Sequence, residues 1–287
     1  MPRYAYVNGR YLPQSEATVS IDDRGYQFAD GVYEVVPLIE GRVVDEDAHL
    51  DRLEYSLREL SIPMPMSRAA LRAVTREMMR RNGVRTGIVY MQVTRGVALR
   101  DHRYPDHVKP SLVMTARHKP PVPEKRITEG VAVVSIPDLR WGRCDIKATA
   151  LLANIMGKQA AVEQGAFEAW MIDDDGAVTE GTSTNAWIVS HDKKLVTRNL
   201  SHAILSGITR KRLLTVAAGL GYPLEERAFT IGEAQEAREA FLTSSTSLVL
   251  PITKIDGKKI GDGAAGPLAL ALRKAYLDFV MAEPAVL

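Results

Sequence analysis

Apolar positions in the first third of the chain alternate between two periods. In residues 49–60, Leu50, Leu53, Leu57 and Leu60 recur at spacings of three and four, which places them on one face of a helix. A second helix is predicted over 67–82, with Ser67 where a hydroxyl can cap free backbone N–H groups. Tyr4-Ala5-Tyr6-Val7 ahead of Asn8-Gly9 reads as a strand entering a tight hairpin turn. The β-branched and aromatic residues of 87–95 and 111–117 predict two further strands. Tyr33 falls in another strand candidate, FADGVYEVV.

Residues 118–124 read HKPPVPE, and prolines at this density exclude a helix or central strand, so a stiff extended connection is predicted. That divides the chain into a smaller domain over 1–118, a linker over 119–124 and a larger domain over 125–287, with a cleft expected between the two domains. Beyond the linker, strands are predicted at 130–136, 167–173 and 185–190. Helices are predicted at about 149–165, 207–219, 232–239 and 266–281. No internal repeat or low-complexity tract is present, and the class is mixed α and β in two domains.

Bulk properties remove whole classes of function. The 287 residues carry 37 basic against 35 acidic side chains, a net charge of +2, which offers no footprint for nucleic acid or an anionic membrane. Arg80-Arg81 and Arg210-Lys211-Arg212 are short enough to be solvated helix faces. Hydrophobic content of 46% suits an ordinary globular core, and no apolar run approaches the ~20 residues that span a bilayer. The first residues lack a signal-peptide layout. Cys144 is the single cysteine, so no intramolecular disulfide forms, and a reducing, cytoplasmic setting is expected. Its apolar surroundings argue against a nucleophile.

Candidate chemistry is scattered along the chain. Lys147 stands just before a predicted helix and Lys158 inside it; the first can aim into a cleft, while the second is expected to extend into solvent. A lysine that attacks a carbonyl must be neutral, and Arg143 is a candidate for the positive charge that would favour this. Glu180, followed by Gly181, Thr182, Ser183, Thr184 and Asn185, is either a polar turn or a fixed anion beside hydrogen-bond donors. Ser206, Gly207, Ile208 and Thr209 open a helical pattern, which plain capping or a phosphate seat explains equally. The hydroxyls of 242–247, including Ser244 and Ser245, are an ordinary turn or a second donor patch. Arg52 lies off the leucine stripe, exposed or reaching a phosphate. Arg100 and His102 share one side of an extended loop and can jointly clamp a carboxylate, or be surface charges. Tyr33 can donate into a cleft or simply pack.

Taken in order, DDRGYQFADGVYEVV, HLDRL, MQVTRGVALRDHRYPD, RWGRCDIKATALL, VTEGTSTNAW, SGITRKRLL and FLTSSTS resemble one family nearly end to end: the fold-type IV pyridoxal 5′-phosphate enzymes and, within them, the D-amino acid aminotransferases. The resemblance implies that Lys147 is the Schiff-base lysine and proton shuttle, and that Glu180 pairs with the pyridine nitrogen. Arg52, Gly207, Ile208, Thr209 and Ser245 are implied at the phosphate, with serine at 245 where relatives usually have threonine. Thr182 and Thr184 stand where relatives commonly have serine. Thr182, Ser183 and Ser244 are implied on the substrate side, and Tyr33, Arg100 and His102 at the substrate carboxylate. The implied substrates are D-amino acids and 2-oxo acids, with no metal, in a homodimer whose Arg100–His102 loop serves the other subunit. Related reactions on the same fold are those of (R)-amine transaminases, branched-chain L-aminotransferases and aminodeoxychorismate lyases; a non-catalytic cofactor-binding protein is the remaining alternative.

Overall fold

The computed structural model describes residues 3–287. The chain divides into two compact units: Met1–Pro121 with Ile146–Ala150 and Glu283–Leu287, and Val122–Asp145 with Leu151–Ala282.

In the first unit, β1 (Tyr4–Val7) and β2 (Arg10–Pro13) form the expected hairpin, with Asn8 and Gly9 both at positive φ as the tight turn requires. A short helix α1 (Arg24–Phe28) follows, capped by the Asp23 carboxylate, which accepts from the Gly25 N–H. Next come β3 (Gly31–Ile39), β4 (Arg42–Val43), α2 (Glu46–Glu59), α3 (Arg68–Asn82), β5 (Gly87–Thr94) and β6 (Ser111–His118). Ser67 caps α3 as predicted, accepting from the Ala70 N–H. The six strands run β2-β1-β6-β5-β3-β4, antiparallel throughout. Alternation in β3 turns Val32, Glu34, Val36 and Leu38 inward. Leu50, Leu53 and Leu57 of α2 share a core with Val32, Val36 and Leu38.

The second unit contains α4 (Glu124–Thr128), β7 (Val131–Pro137), α5 (Leu152–Glu163), β8 (Glu168–Ile172), β9 (Val178–Gly181), β10 (Asn185–Val189) and β11 (Leu195–Thr197). It continues through α6 (Ile208–Gly219), β12 (Leu224–Glu226), α7 (Ile231–Gln235), β13 (Glu239–Ser244), β14 (Leu248–Ile255), β15 (Lys258–Lys259) and α8 (Pro267–Ala282). Nine strands form one sheet in the order β12-β11-β10-β13-β14-β7-β8-β9, with β15 on β14. Pairs β14–β7, β7–β8 and β11–β12 are parallel, as in a mixed sheet.

Three expectations need correction. The helix predicted over 232–239 stops at Gln235, because residues from Glu239 onward pair with β10, and the Glu239 carboxylate accepts from the N–H groups of Leu268 and Ala269 to cap α8. The stretch ending the proline-rich segment is not extended throughout, since Pro123 opens the short helix α4. Lys147, expected in the C-terminal domain, belongs to the first unit, for reasons that lie in its backbone pairing.

Candidate active site

The segment Ile146–Ala150 behaves as a strip of extended chain laid against the start of β3. The Tyr33 N–H donates to the Lys147 carbonyl at 3.0 Å, the Thr149 N–H to that of Gly31 at 3.0 Å, and Ala148 bridges Val32. The Thr149 hydroxyl also donates to the Ala29 carbonyl, and the Lys147 N–H to the Ser56 hydroxyl of α2 at 3.2 Å. With a period of two, Ile146 and Ala148 enter the core and Lys147 must point to the opposite side. There its Nζ lies 4.2 Å from the centroid of the Tyr33 ring. Tyr33 leans in turn towards Tyr90, centroids 5.7 Å apart, and burial pushes the Tyr90 phenol up to about 12. The structure thus brings together Lys147 and Tyr33, two residues 114 positions apart in the chain.

Behind them is a buried polar cluster that the sequence reading missed. Helix α2 carries a second buried stripe beside its leucines, made of His49, Arg52 and Ser56. Arg52 grips Glu34 of β3 in a fork, Nε to Oε1 and Nη2 to Oε2, both 2.8 Å, while His49 Nδ1 meets Oε2 at 2.7 Å. Burial alone would raise the Glu34 carboxyl, but the charge and hydrogen bonds of Arg52, with help from His49, hold it well below the usual carboxylate range. Burial lowers His49 in spite of Glu34, so the ring is neutral and donates from Nδ1. Arg52 is consequently buried and paired rather than exposed. The signals were present: a glutamate inside the apolar VYEVV, and histidine and arginine three apart in HLDR.

In the same unit, the loop after β5 places Arg100 and His102 around Phe28, whose ring centroid lies 4.9 Å from the Arg100 guanidinium carbon and 5.5 Å from the His102 ring.

The second unit holds the carboxylate candidate. Glu180 stands in β9, so it belongs to a strand and not to the turn that follows. Its oxygens accept from Arg140 Nη1, from Asn185 Nδ2 at 2.9 Å and from the Leu205 N–H at 3.2 Å. Burial opposes the charge on Arg140, yet Asp138 and Glu180 together hold the guanidinium protonated. Asp138 is lowered despite burial by the same arginine and by the Thr179 hydroxyl. Arg140 and Asp138 are not part of the sequence expectation; Arg140 donates to Glu180 and is itself held by Asp138.

Gly207 precedes α6 with no side-chain cap, and a Cβ there would fall 1.9 Å from Asn185 Oδ1, so only glycine permits this approach. Asn185 also donates to the Leu205 carbonyl at 3.0 Å. Backbone N–H groups of the first turn of α6, at Ile208 and Thr209, thus open beside the Asn185 amide that orients Glu180. A helix N-terminus with a glycine cap and a carboxylate fixed nearby suits a group carrying a phosphate and a protonated ring nitrogen. Ser244 Oγ accepts from the Ser247 N–H, and Arg273 donates to the carbonyls of Ser247 and Val249, which sets the turn containing Ser245.

Thr182 and Ser183 were expected on the substrate side. Both hydroxyls donate to the buried Glu168, so they have lone pairs but no O–H left for substrate. The Thr184 hydroxyl is buried without a partner. Lys158 is also corrected: its ammonium donates to the Phe167 carbonyl, lies 3.6 Å from Glu168 and 4.6 Å from the Phe167 ring. Arg143 is paired with Asp145 and is no source of uncompensated charge.

Burial pushes the Cys144 thiol up to about 11, and Sγ donates to the Trp141 carbonyl at 3.1 Å. At pH 8 only roughly one molecule in a thousand carries the thiolate. A Cys144→Ala protein is expected to keep native turnover, and a thiol reagent to label the native chain slowly and the denatured chain at once. Loss of turnover in that variant would return Cys144 to the chemistry. Among the described residues no cluster of three His, Cys, Asp or Glu could hold a metal ion, and no helix is long and apolar enough to cross a membrane.

The chain is 43% identical over 279 residues to a D-alanine aminotransferase of Bacillus licheniformis, covering 97% of each chain. It is 39% identical over 277 residues to a D-alanine aminotransferase of Listeria innocua, covering 96% of this chain and 95% of the other. Among solved structures, a branched-chain aminotransferase from the thermophilic archaeon Thermoproteus uzoniensis, with norvaline, superposes with a TM-score of 0.84 at 26% identity, covering 98% of this chain and 96% of that one. Residues 31–255, which include Lys147, Glu180 and the Arg100–His102 loop, match the family described as amino-transferase class IV, and the chain belongs to that family.

Proposed function

We propose that this class IV aminotransferase uses pyridoxal 5′-phosphate to move the amino group of a D-amino acid, of the D-alanine and D-glutamate class, to a 2-oxo acid such as pyruvate or 2-oxoglutarate. The observation that carries this is Lys147, presented by a core-anchored strip with its amine over Tyr33. The D-alanine aminotransferases at 43% and 39% identity support the substrate class.

The bound cofactor supplies an electron sink for the substrate Cα. Lys147 Nζ would hold it and, when free, would serve as the base for the proton on the substrate Cα. Glu180, fixed by Arg140, Asn185 and Leu205, keeps a proton on the ring nitrogen. Arg52, Gly207, Ile208, Thr209 and Ser245 are assigned to the phosphate. Glu34 and His49 support the Arg52 guanidinium in one orientation. Tyr33, Arg100 and His102 are assigned to the substrate carboxylate, with Ser244 on the substrate side.

We further propose a homodimer in which the Arg100–His102 loop serves the partner's site. In the single chain Leu152, Ile155 and Met156 of α5 are 72%, 62% and 56% exposed, an apolar patch that association would cover, and in the other unit Leu99, beside Arg100, is 91% exposed. The lone cysteine agrees with a reducing, cytoplasmic location.

A half-reaction tests the reading. Loss of the yellow absorbance of the loaded protein with D-alanine, but not with L-leucine or (R)-1-phenylethylamine, is the expected result; bleaching by L-leucine alone would overturn the D-substrate. Arg100→Ala and His102→Ala should each raise KM for D-alanine roughly tenfold or more, as loss of a charged hydrogen bond does. Unchanged KM in both would remove these residues from carboxylate recognition.

A further inference from the structure

The loop bearing Arg100 and His102 is tied to α1 and β3 by groups with no assigned part in the reaction. Asp30 sits between two arginines: Arg24 Nε and Arg95 Nε both reach its Oδ2 at 2.7 Å, and Arg95 Nη2 reaches Oδ1 at 3.1 Å. Each arginine then contacts the loop. Arg24 Nη1 donates to the Asp101 carbonyl at 2.5 Å, between Arg100 and His102 in sequence. The Arg95 guanidinium carbon lies 3.5 Å from the centroid of the Tyr104 ring. Arg95 is itself anchored through the carbonyls of Leu60 and Ser61.

Phe28, the last residue of α1, is the other fixture. Its centroid lies 4.8 Å from the Arg24 guanidinium carbon, 4.9 Å from that of Arg100 and 5.5 Å from the His102 ring. The backbone leaves α1 little freedom to shift. A Cβ at Gly25 would fall 2.1 Å from Thr94 Cγ2, and the Arg24 N–H donates to the Gly96 carbonyl. Gly96, at a φ of 106°, is pressed so close to Lys109 that a Cβ would lie 2.1 Å from its carbonyl oxygen, which closes the loop at its base. Arg103 is paired with Asp101, whereas Arg100 rests on an aromatic ring.

We propose that Phe28, with the Arg24–Asp30–Arg95 cluster, is a positioning element that presets Arg100 and His102 for the substrate carboxylate. This rests on the assignment of Arg100 and His102 made above. A long side chain on an exposed loop must be immobilised when it binds an anion, and one already resting on a ring has lost part of that freedom beforehand. Phe28, Arg24 and Asp30 act through their neighbours and need not touch substrate.

The test compares D-alanine with D-alaninamide, whose carboxylate is replaced by a neutral amide, on holoenzyme. Phe28→Leu and Arg24→Met should raise KM for D-alanine about tenfold, the loss of a partly desolvated cation–π contact, with kcat and the D-alaninamide half-reaction unchanged. Phe28→Tyr, which keeps the ring, should restore the native KM. Tyr104→Leu, at a residue 58% exposed, covers the case in which the Phe28 and Arg24 variants do not fold, and should raise KM for D-alanine about twofold. If Arg100→Ala itself leaves KM for D-alanine native, the carboxylate assignment fails. If Arg100→Ala raises it while Phe28→Leu, or Tyr104→Leu in its place, stays native, the positioning inference alone is overturned. Equal slowing of both substrates in Phe28→Leu would reduce Phe28 to a packing residue and overturn it as well.

Discussion

A Lys147→Ala protein should fold normally and turn over at about 10⁻² to 10⁻⁴ of the native rate or below, the span that a positioned general acid–base group contributes. The two halves of this expectation have separate causes. The strip that carries Lys147 is secured by its backbone, through Tyr33, Gly31 and Ser56, and by the core side chains of Ile146 and Ala148. None of these depends on the lysine side chain, so thermal or urea unfolding midpoints should stay close to native. The amine over the Tyr33 ring is the only feature removed. Steady-state rates beside an unfolding curve check both halves, and near-native turnover by pure Lys147→Ala protein would overturn the assignment of the lysine.

Glu34→Ala should cost about 3–5 kcal/mol of stability, since it strands a buried guanidinium without its carboxylate. Glu34 is fully buried, accepts both arms of the Arg52 fork, and receives the His49 ring as well. The pH dependence follows from the same cluster. The folded Glu34 carboxyl is held below its unfolded value, so its contribution is fully present above about pH 4.5, the unfolded value, and is lost as pH falls through the lower folded value. Native protein should therefore lose stability below about pH 4.5 more steeply than Glu34→Gln, in which no charge remains to titrate. Urea midpoints measured for both proteins between neutral and acid pH decide this. Parallel acid profiles, or a cost for Glu34→Ala near that of an exposed substitution, would show that Arg52 finds another partner.

Expectations that rested on short-range pattern agree with the structure. The leucine spacing at 50, 53 and 57 needs only a helix and an apolar neighbour, and α2 meets the core of β3 with those residues. Asn8-Gly9 and Ser67 are decided by backbone sterics and capping within a few residues, so tertiary packing had nothing to overrule. The segment 236–239 was misread because helical propensity there competes with the pairing of Glu239–Ser244 to β10, over 50 residues earlier, and long-range pairing prevailed. The polar networks were harder still. A carboxylate such as Glu34 or Glu168 is buried only where its partners are buried with it, and those partners lie 14 or more positions away in most cases.

The residue types available for transamination chemistry, and their order along the chain, were determined by sequence alone: a lysine at 147, a glutamate at 180, glycine before a helix at 207, and an arginine–histidine pair at 100 and 102. Tertiary structure decided what surrounds each of them and what holds it in place. It laid Ile146–Ala150 against β3 so that Lys147 faces Tyr33, fixed Glu180 with Arg140, committed Thr182 and Ser183 to Glu168, and gathered Arg24, Arg100 and His102 around Phe28. The physical reason is common to all four. Backbone periodicity is set by neighbours in the chain, whereas the direction and charge state of a polar side chain are set by whichever groups the fold places around it, polar atoms within about 3 Å or an aromatic ring within about 6 Å.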